Sequence, residues 1–315
     1  MKSLRFPACL MLALALFAGC AAAKGGGGPQ LGSAGMGPVI DKSGDAALQE
    51  MIAEVAPLFA QHKDAETGMA YNLFVPAKLE KGKKYPLVMF IADASTTGRD
   101  VKAPLTQGYG ALVFATPESQ ADNPCFVLVP QFTGVAVNDA YEHTPEVEDA
   151  LKVLENVAAN HPVDRSRMYA TGQSMGGMIS MYYNVTRPDL FAASMFVDCH
   201  WAPSTMDALV SHPFVFVYAG DKGKGFATNE AIQEACRKKG VSYAWMEWSA
   251  KLPEEEQAKL ANTLLAKGAP VNIVGFENGS VLPASGKGSE HMYSFDYAYQ
   301  IAPLRDWLFS RSLAK

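Results

Sequence analysis

The sequence Gly172-Gln173-Ser174-Met175-Gly176-Gly177, near the middle of the chain, is its most informative feature. A strand-like run, Arg167 to Thr171, precedes it, and a helix-like run, Met178 to Tyr183, follows it. A serine flanked by glycines between a strand and a helix is typical of a nucleophile elbow. The turn is so sharp that a Cβ two residues from the serine would collide with neighbouring backbone. Because the helix aims free N–H groups at the serine, where an oxyanion would form, we predict a nucleophile rather than an ordinary Gly-Ser turn.

The first twenty residues have the order of an export signal. A basic start, Met1 to Arg5, is followed by an apolar run, Ala8 to Ala18, which is too short to span a bilayer. The order predicts a signal peptide over residues 1–19, and it resembles a bacterial lipoprotein signal, in which Cys20 becomes the lipidated N-terminus. Phe17 stands where leucine is commonest, and ordinary cleavage near residues 21–23 is the alternative. Because Ala21 offers no aspartate retention signal, the resemblance implies an envelope protein anchored at the outer membrane or the cell surface.

The rest of the chain is predicted to hold one folded domain. Residues 20–42 are rich in glycine and are expected to be a flexible tether, and residues 43–315 have the length of a single α/β domain. No second long apolar run follows the signal, so no transmembrane helix is expected. The net charge is −5 with no basic cluster, which argues against a nucleic-acid partner.

Three cysteines, Cys125, Cys199 and Cys236, remain once Cys9 and Cys20 are assigned to the signal and the lipid. They allow at most one disulfide and a free thiol. No pair of them has the spacing of metal ligands, so no zinc site and no cofactor are expected.

Hydrophobic patterns predict strands that alternate with helices along the chain. Predicted strands are Met69–Pro76, Tyr85–Ile91, Phe126–Val129, Arg167–Thr171, Ala192–Val197, Pro213–Ala219, Ser242–Trp248 and Val271–Phe276, with a further short apolar run at Ala111–Ala115. Predicted helices are Ala46–Phe59, Val147–Ala159, Asn229–Lys239, Glu254–Lys267 and Tyr299–Ser310. This alternation indicates βαβ units and a mostly parallel sheet.

From Gly68 to Leu313 the order of motifs resembles the α/β-hydrolase fold. More narrowly, it is similar to secreted esterases grouped with polyhydroxybutyrate depolymerases and feruloyl esterases, and to prolyl-oligopeptidase-like esterases. The resemblance implies hydrolysis of acyl esters, small or saccharide-linked, and it leaves the substrate open. Besides the elbow, the segments that carry the resemblance are Tyr85–Phe90, Asp164–Tyr169, Arg187–Ala193, Glu290–Ser294 and Leu304–Leu308.

A serine hydroxyl needs a base to take its proton, and histidine is the expected base. Among the six histidines, His291 lies between the last strand and the last helix, where the Ser, Asp, His order of this fold places the base. His200 is the rival, since it follows the strand after the elbow helix at the same edge of the sheet. We predict that His291 is the base and that His200 lines the substrate pocket.

The third member of the triad is expected after the strand Pro213–Ala219. In many relatives the carboxylate comes three residues after a glycine, but that position here is Gly223. Asp221 is the one carboxylate in this loop before Glu230, so we predict that it orients His291 and stabilises the imidazolium. Asp198, after the preceding strand, is the alternative, and a turn role for Asp221 stays open.

The oxyanion hole needs two amide donors, and Met175 is expected to supply the first. The second comes from the loop after Tyr85–Ile91, where the His-Gly pair of the family is replaced by Ala92-Asp93, and Ala94 is the predicted donor. Asp93 either places a negative charge near the site or bonds the loop backbone in an Asx-turn. Trp201 is predicted to line the pocket, where it could stack on an aromatic ring or a sugar.

Two other functions are compatible with the sequence. One is a peptidase or amidase of the prolyl-oligopeptidase type, although no long N-terminal propeller precedes the core to gate large peptides. The other is a binding lipoprotein that keeps the fold without turnover. Ser174 and His291 argue against the second alternative, and the altered Ala92-Asp93 loop leaves it open.

Overall fold

The computed structural model describes residues 30–34 and 40–314. The predicted signal peptide, the predicted lipidation site Cys20 and tether residues 21–29 and 35–39 lie outside the described residues. A single sheet forms the centre of the described part. Its strands are β1 (Ala60–Lys63), β2 (Ala70–Phe74), β3 (Tyr85–Ile91), β4 (Phe126–Gln131), β5 (Val163–Gln173), β6 (Ala193–Val197), β7 (Phe214–Ala219), β8 (Tyr243–Trp248) and β9 (Val271–Phe276).

The strand order across the sheet is β1-β2-β4-β3-β5-β6-β7-β9-β8. The pairs β1/β2 and β2/β4 are antiparallel, and every other neighbouring pair is parallel. The prediction of a mostly parallel sheet is therefore confirmed. Because parallel strands end at one edge of the sheet, the loops after β3, β5, β6 and β7 lie side by side, as is usual for ligand sites in such sheets.

Helices cover both faces of the sheet. They are α1 (Ala46–Val55), α2 (Ala103–Thr106), α3 (Pro117–Asp122), α4 (Glu146–Asn160), α5 (Met175–Thr186), α6 (Met206–Leu209), α7 (Gly223–Lys239), α8 (Glu254–Leu265), α9 (Glu290–Gln300) and α10 (Ala302–Phe309). The sequence predicted a single last helix, Tyr299–Ser310. The structure has two helices in this region, α9 and α10, which Ile301 separates, and α9 begins nine residues earlier than predicted. The apolar run Ala111–Ala115 contains a 3-10 helix, Leu112–Phe114, rather than a strand.

The alternation of β3 shows how the core is divided. Val88 and Phe90 pack on the face covered by α1, α8, α9 and α10, and Leu87, Met89 and Ile91 pack on the face covered by α4 to α7. All seven residues of β3 are buried, as its continuous apolar sequence predicts. Within the described residues no helix is long and apolar enough to cross a membrane.

The described part of the predicted tether, residues 30–34 and 40–42, lies against the domain. Gly32 donates a backbone hydrogen bond to Val135 at 2.9 Å, and Ser33 accepts one from Val135 at 2.8 Å. Lys42 forms an ion pair with Asp296 of α9 at 2.6 Å. Such hydrogen bonds and ion pairs join residues far apart in the chain, and glycine content does not encode them.

Candidate active site

Ser174 occupies the junction of β5 and α5 with φ 49° and ψ −117°. A non-glycine residue in such a conformation is strained, and this strain is typical of a nucleophile that a sharp turn projects from the sheet. The flanking glycines are required by space. A Cβ on Gly176 would lie 1.9 Å from the carbonyl oxygen of Ile91, and one on Gly172 would lie 2.4 Å from the carbonyl carbon of Gly176.

His291 lies in the first turn of α9, and its Nε2 is 2.9 Å from the Oγ of Ser174. The Phe295 ring, one turn further along α9, stands edge-on to the imidazole with centroids 5.0 Å apart. With the proton of the ring on Nδ1, the serine hydroxyl donates to Nε2. The structure therefore brings together the two residues that the sequence predicts as nucleophile and base.

Asp198, and not Asp221, is the carboxylate that faces this histidine. Asp198 directly follows β6, is 4% exposed, and places Oδ1 3.5 Å from His291 Nδ1. Its backbone has φ 40°, and its amide donates to the carbonyl of Val217 at 2.7 Å, so the neighbouring strand holds the turn in place. Asp221 is exposed, and no hydrogen bond or ion pair joins it to His291 in the described part of the chain. The prediction of Asp221 is therefore corrected to the alternative, Asp198.

The start of α7 accounts for this correction. The helix begins at Gly223, six residues before the predicted start at Asn229, so Asp221 belongs to a short exposed turn that leads into it. The first turn of α7 packs directly on the acid, since a Cβ on Gly225 would lie 2.1 Å from Asp198 Oδ1. Asp198 consequently takes the place beside the base.

Ser294 completes the arrangement and was missed by the sequence analysis. It is fully buried on α9, and its Oγ lies 3.0 Å from Asp198 Oδ2 and 2.8 Å from the carbonyl oxygen of His291. A hydroxyl has one proton, so it donates to one of these oxygens at a time. Its spacing of three from His291 places both residues on one side of a helix, which is the signal that could have identified it.

The two predicted oxyanion donors stand at the beginning of helical turns. Met175 is the first residue of α5, and Ala94 begins a 3-10 helix, Ala94–Thr96. The first amides of a helix have no carbonyl partner within it, so both are available to a ligand. Both residues line the same cleft as Ser174.

Asp93 is built into the loop as an Asx-turn, one of the two roles considered for it. Its Oδ1 accepts a hydrogen bond from the Ser95 amide at 2.7 Å, and its Oδ2 accepts from Gln173 Nε2 at 3.1 Å and from the Gln107 side chain. The residue is 2% exposed. Because Gln173 directly precedes the nucleophile, this buried carboxylate connects the Ala94 loop to the elbow.

The cleft above Ser174 has a volume of about 390 Å³. Ser174, Asp198 and His291 lie among its walls, together with apolar side chains and a group of polar and charged side chains. The apolar residues are Ala94, Val135, Val137, Met175, Met178 and Ala219, and the polar or charged residues include Asn138, Asp139, His200, Lys222, Lys224 and Glu290. A cleft of this size accommodates a small substrate with one apolar and one polar part.

His200 lies in the wall of the cleft, beside an ion pair. Its Nε2 is 3.1 Å from Asp139 Oδ1, which also pairs with Lys224 Nζ at 2.5 Å. Burial, followed by the nearby Lys224, lowers the pKa of His200. A mainly neutral imidazole paired with a carboxylate other than the acid fits a role in the wall of the cleft rather than at the nucleophile.

Trp201 does not line the cleft, which corrects its predicted role. It is 5% exposed and packs in the core beneath α5. Its ring stands edge-on to Tyr141 at 5.6 Å and to Tyr182 at 5.8 Å. The Tyr141 ring also lies 6.2 Å from that of His200, and the residue is 36% exposed.

The described cysteines are all buried free thiols: Cys125, Cys199 and Cys236. Cys199 lines the cleft, but burial, and secondarily Asp198, raises its pKa well above the ordinary value, which disfavours a thiolate nucleophile. Among the residues that the structure describes, no cluster of three or more His, Cys, Asp or Glu side chains could hold a metal ion.

One known family matches part of the chain. Residues 138–236 match the prolyl oligopeptidase family, a segment that contains Ser174, Asp198 and His200 and stops before His291. The match covers less than half of the chain. No curated protein sequence matches the chain.

A solved esterase structure shares the fold, and other solved hydrolases match it less closely. A thermostable esterase superposes with a TM-score of 0.65 at 23% identity, over 82% of this chain and 64% of its own. A ferulic acid esterase has a TM-score of 0.47 at 14% identity, over 80% and 98% of the two chains. The acylaminoacyl peptidase of Pyrococcus horikoshii has a TM-score of 0.44 at 12% identity, over 82% and 42%. The chain thus has the α/β-hydrolase fold, and it spans 64% of the length of the esterase and 42% of that of the peptidase.

Proposed function

We propose that this protein is a serine hydrolase that cleaves carboxylic esters through an acyl-enzyme on Ser174. One observation carries the proposal. His291 lies 2.9 Å from the serine hydroxyl and 3.5 Å from the buried Asp198, which is the arrangement of nucleophile, base and orienting acid. The fold and the matched segment support a serine hydrolase, and the open, partly apolar cleft supports a small ester as substrate.

The reaction follows from these positions. Ser174 Oγ attacks the carbonyl carbon while its proton passes to His291 Nε2. The oxyanion that forms accepts hydrogen bonds from the amides of Met175 and Ala94, which need no reorganisation because each starts a helical turn. Collapse of this tetrahedral intermediate breaks the ester C–O bond and expels the alcohol, which takes the proton from His291 Nε2. In the second half of the reaction, water attacks the acyl-enzyme with the help of His291 and releases the carboxylic acid.

Asp198 acts through the histidine. Its carboxylate holds the imidazole in the tautomer with the proton on Nδ1, and it stabilises the imidazolium that forms after proton transfer. Ser294 and the amide-bonded turn around Asp198 limit the rotation of this carboxylate. The acid therefore contributes by orientation and charge without taking up the proton itself.

The test is turnover of p-nitrophenyl esters of increasing acyl length, with labelling by a fluorophosphonate. Ser174→Ala should lower kcat by roughly 10⁴-fold or more and abolish labelling. Ser211→Ala, an exposed serine outside the cleft, is the matched control and should behave as the wild type. Undiminished labelling of the Ser174→Ala variant would refute the assignment of the nucleophile.

A second candidate is an amide or peptide hydrolase with the same triad. The match of residues 138–236 to the prolyl oligopeptidase family favours it. Prolyl and non-prolyl peptide anilides, assayed beside the esters, separate the two. A kcat/KM for an anilide that exceeds the values for all the esters would replace the first candidate by the second. Absence of both turnover and labelling would favour a binding protein.

We also propose that the protein is lipidated at Cys20 and anchored at the outer membrane or the cell surface. The order of Ala18, Gly19 and Cys20 after an apolar run supports this. Cys20→Ser should move the protein from the membrane fraction to the soluble fraction and abolish labelling by palmitate. Continued labelling of that variant would place the lipid elsewhere and contradict the proposal.

A further inference from the structure

The N-terminal strap, residues 30–34, lies on the outer side of the cleft wall. The Gly32 amide donates a hydrogen bond to the Val135 carbonyl at 2.9 Å, and the Val135 amide donates one to the Ser33 carbonyl at 2.8 Å. Val135 itself is 1% exposed and lines the cleft. A segment that precedes the domain in sequence is therefore bonded to a residue in contact with the substrate space.

The strap also fits closely between two loops. A Cβ on Gly134 would lie 2.6 Å from the carbonyl oxygen of Gly32, and one on Gly98 would lie 2.4 Å from the Cβ of Ala34. Gly98 is in the loop that begins with the predicted oxyanion donor Ala94, and its amide donates to the carbonyl of Phe132 at 2.9 Å. The strap thus contacts the loops that carry two parts of the site.

The contact continues to the elbow through one further residue. The amide of Ala136 lies 3.4 Å from the Sδ of Met175, so the loop that the strap holds also contacts the residue after the nucleophile. A displacement of Val135 would move the apolar wall relative to the helix that supplies the first oxyanion donor.

A second anchor follows ten residues after Gly32. Lys42 pairs with Asp296 at 2.6 Å, and both side chains are mostly buried. Asp296 also accepts a hydrogen bond from the amide of Tyr109 at 3.2 Å. Asp296 lies on α9, so the N-terminal residues also contact the helix that carries His291.

We propose that the N-terminal strap is a positioning element of the active site, with Gly32 and Ser33 holding the Val135 wall against the elbow. The inference rests on the proposed hydrolase function, because it assigns the strap an effect on substrate binding. Val135 and its neighbour Val137 line the cleft and carry no reacting group, so they would contact a substrate similarly before and during the reaction. Loss of the strap should therefore raise KM and leave kcat nearly unchanged.

Gly32→Pro is the decisive variant. Proline has no N–H to donate to Val135, and its fixed φ near −65° cannot adopt the φ of 79° that Gly32 has. Gly134→Ala disrupts the same contact by a change in the domain, because the nearest atoms to the new Cβ all belong to Gly32. Gly44→Ala is the matched control, because a Cβ there meets nothing within 4 Å.

Two measurements are made on the full chain. Hydrogen exchange at the Val135 amide reports the pairing with Ser33, and ester kinetics, normalised to active sites counted by fluorophosphonate, report KM and kcat. Gly32→Pro and Gly134→Ala should each expose the Val135 amide and raise KM roughly tenfold, with kcat within about twofold of the wild type. Gly44→Ala should match the wild type in both.

Three outcomes would overturn the inference. Unchanged protection of the Val135 amide in Gly32→Pro would show that the pairing does not exist. Lost protection with unchanged KM and kcat would reduce the strap to a structural contact, whatever its effect on Tm. A wild type without turnover would refute the proposed function separately. The strap would then fail if the Ala136 amide, which contacts Met175 Sδ, kept its protection in Gly32→Pro.

Discussion

At the scale of single residues, the position of one carboxylate decides how the base works. Asp198 is buried and faces His291 Nδ1, and its other oxygen faces Ser294. A buried carboxylate is stable only when its oxygens have partners, which here are the histidine and the hydroxyl. The acid and the base therefore stabilise each other's orientation.

Asp198→Asn should lower kcat by about 10³- to 10⁴-fold, because an amide in this place allows the wrong imidazole tautomer. Asp221→Asn, a change of the same size in the exposed neighbouring loop, should alter kcat by less than about twofold, as is usual for exposed residues away from the reaction. Steady-state ester kinetics on both variants decide the matter. Equal losses of kcat in the two variants, or a larger loss in Asp221→Asn, would favour Asp221 as the acid and contradict the assignment of Asp198.

Asp93 is a second buried carboxylate, and it holds the Ala94 loop in place without lining the cleft. Asp93→Ala removes the carboxylate and leaves the Ser95 amide and the Gln173 side chain without their buried acceptor. We expect the Ala94 loop to shift and kcat to fall by about 10²-fold, since misplacement by about 1 Å has effects of this size. Kinetics at saturating ester and a thermal melt test this. A variant with lower Tm and wild-type kcat would contradict a positioning role for Asp93.

At the scale of elements, close approach between β3 and α5 positions the elbow. The first turn of α5 touches the carbonyl of Ile91 so tightly that no side chain fits at Gly176. The strain at Ser174 persists because the sheet on one side and the helix on the other leave no room to relax.

Gly176→Ala should separate β3 from α5 and destabilise the protein by about 1–3 kcal/mol or more, because the clash is with backbone and not with a movable side chain. Activity should fall further than stability, because the first turn of α5 carries the Met175 amide. Urea denaturation and kinetics at a temperature below unfolding measure the two effects. Wild-type activity in a destabilised Gly176→Ala variant would show that the elbow tolerates the displacement.

At the scale of the whole molecule, partly buried histidines connect stability to pH. Burial lowers the pKa values of His161, His200 and His212 below their ordinary value of 6.5. Near pH 6 the unfolded chain therefore binds more protons at these positions than the folded chain does. The free energy of unfolding must fall as the pH decreases through 6.5 toward the folded pKa values.

His212 offers the cleanest measurement, because it lies outside the cleft. Within the described residues, Asp189 alone opposes the effect of burial on its pKa. In His212→Gln the stability should differ from the wild type by a constant amount between about pH 8 and 9. Below about pH 6.5 that difference should shift in favour of the variant, which has no proton to take up on unfolding. Urea denaturation across this range gives the result. Parallel profiles down to pH 5 would contradict a lowered pKa at His212.

Much of this molecule follows from its sequence alone. The strand, serine and helix around residue 174, the continuous apolar strand β3 and the alternation of elements are local properties. They depend on backbone sterics and on hydrophobic periodicity, and they predicted a mostly parallel sheet of βαβ units. The α/β-hydrolase fold was implied by the resemblance of the motifs. The position of His291 after the last strand also follows from chain order, and the structure places its Nε2 2.9 Å from Ser174 Oγ.

Tertiary structure decided the rest. Loops after β6 and β7 end at the same edge, and each offers a carboxylate, so the early start of α7 and its packing at Gly225 determined which of the two meets the base. The orientation of Trp201 into the core, the bonds of Asp93 to Gln173 and the pairing of Gly32 with Val135 join residues far apart in the chain. Such contacts depend on how helices and loops settle on the finished sheet, and neither composition nor local pattern encodes that arrangement.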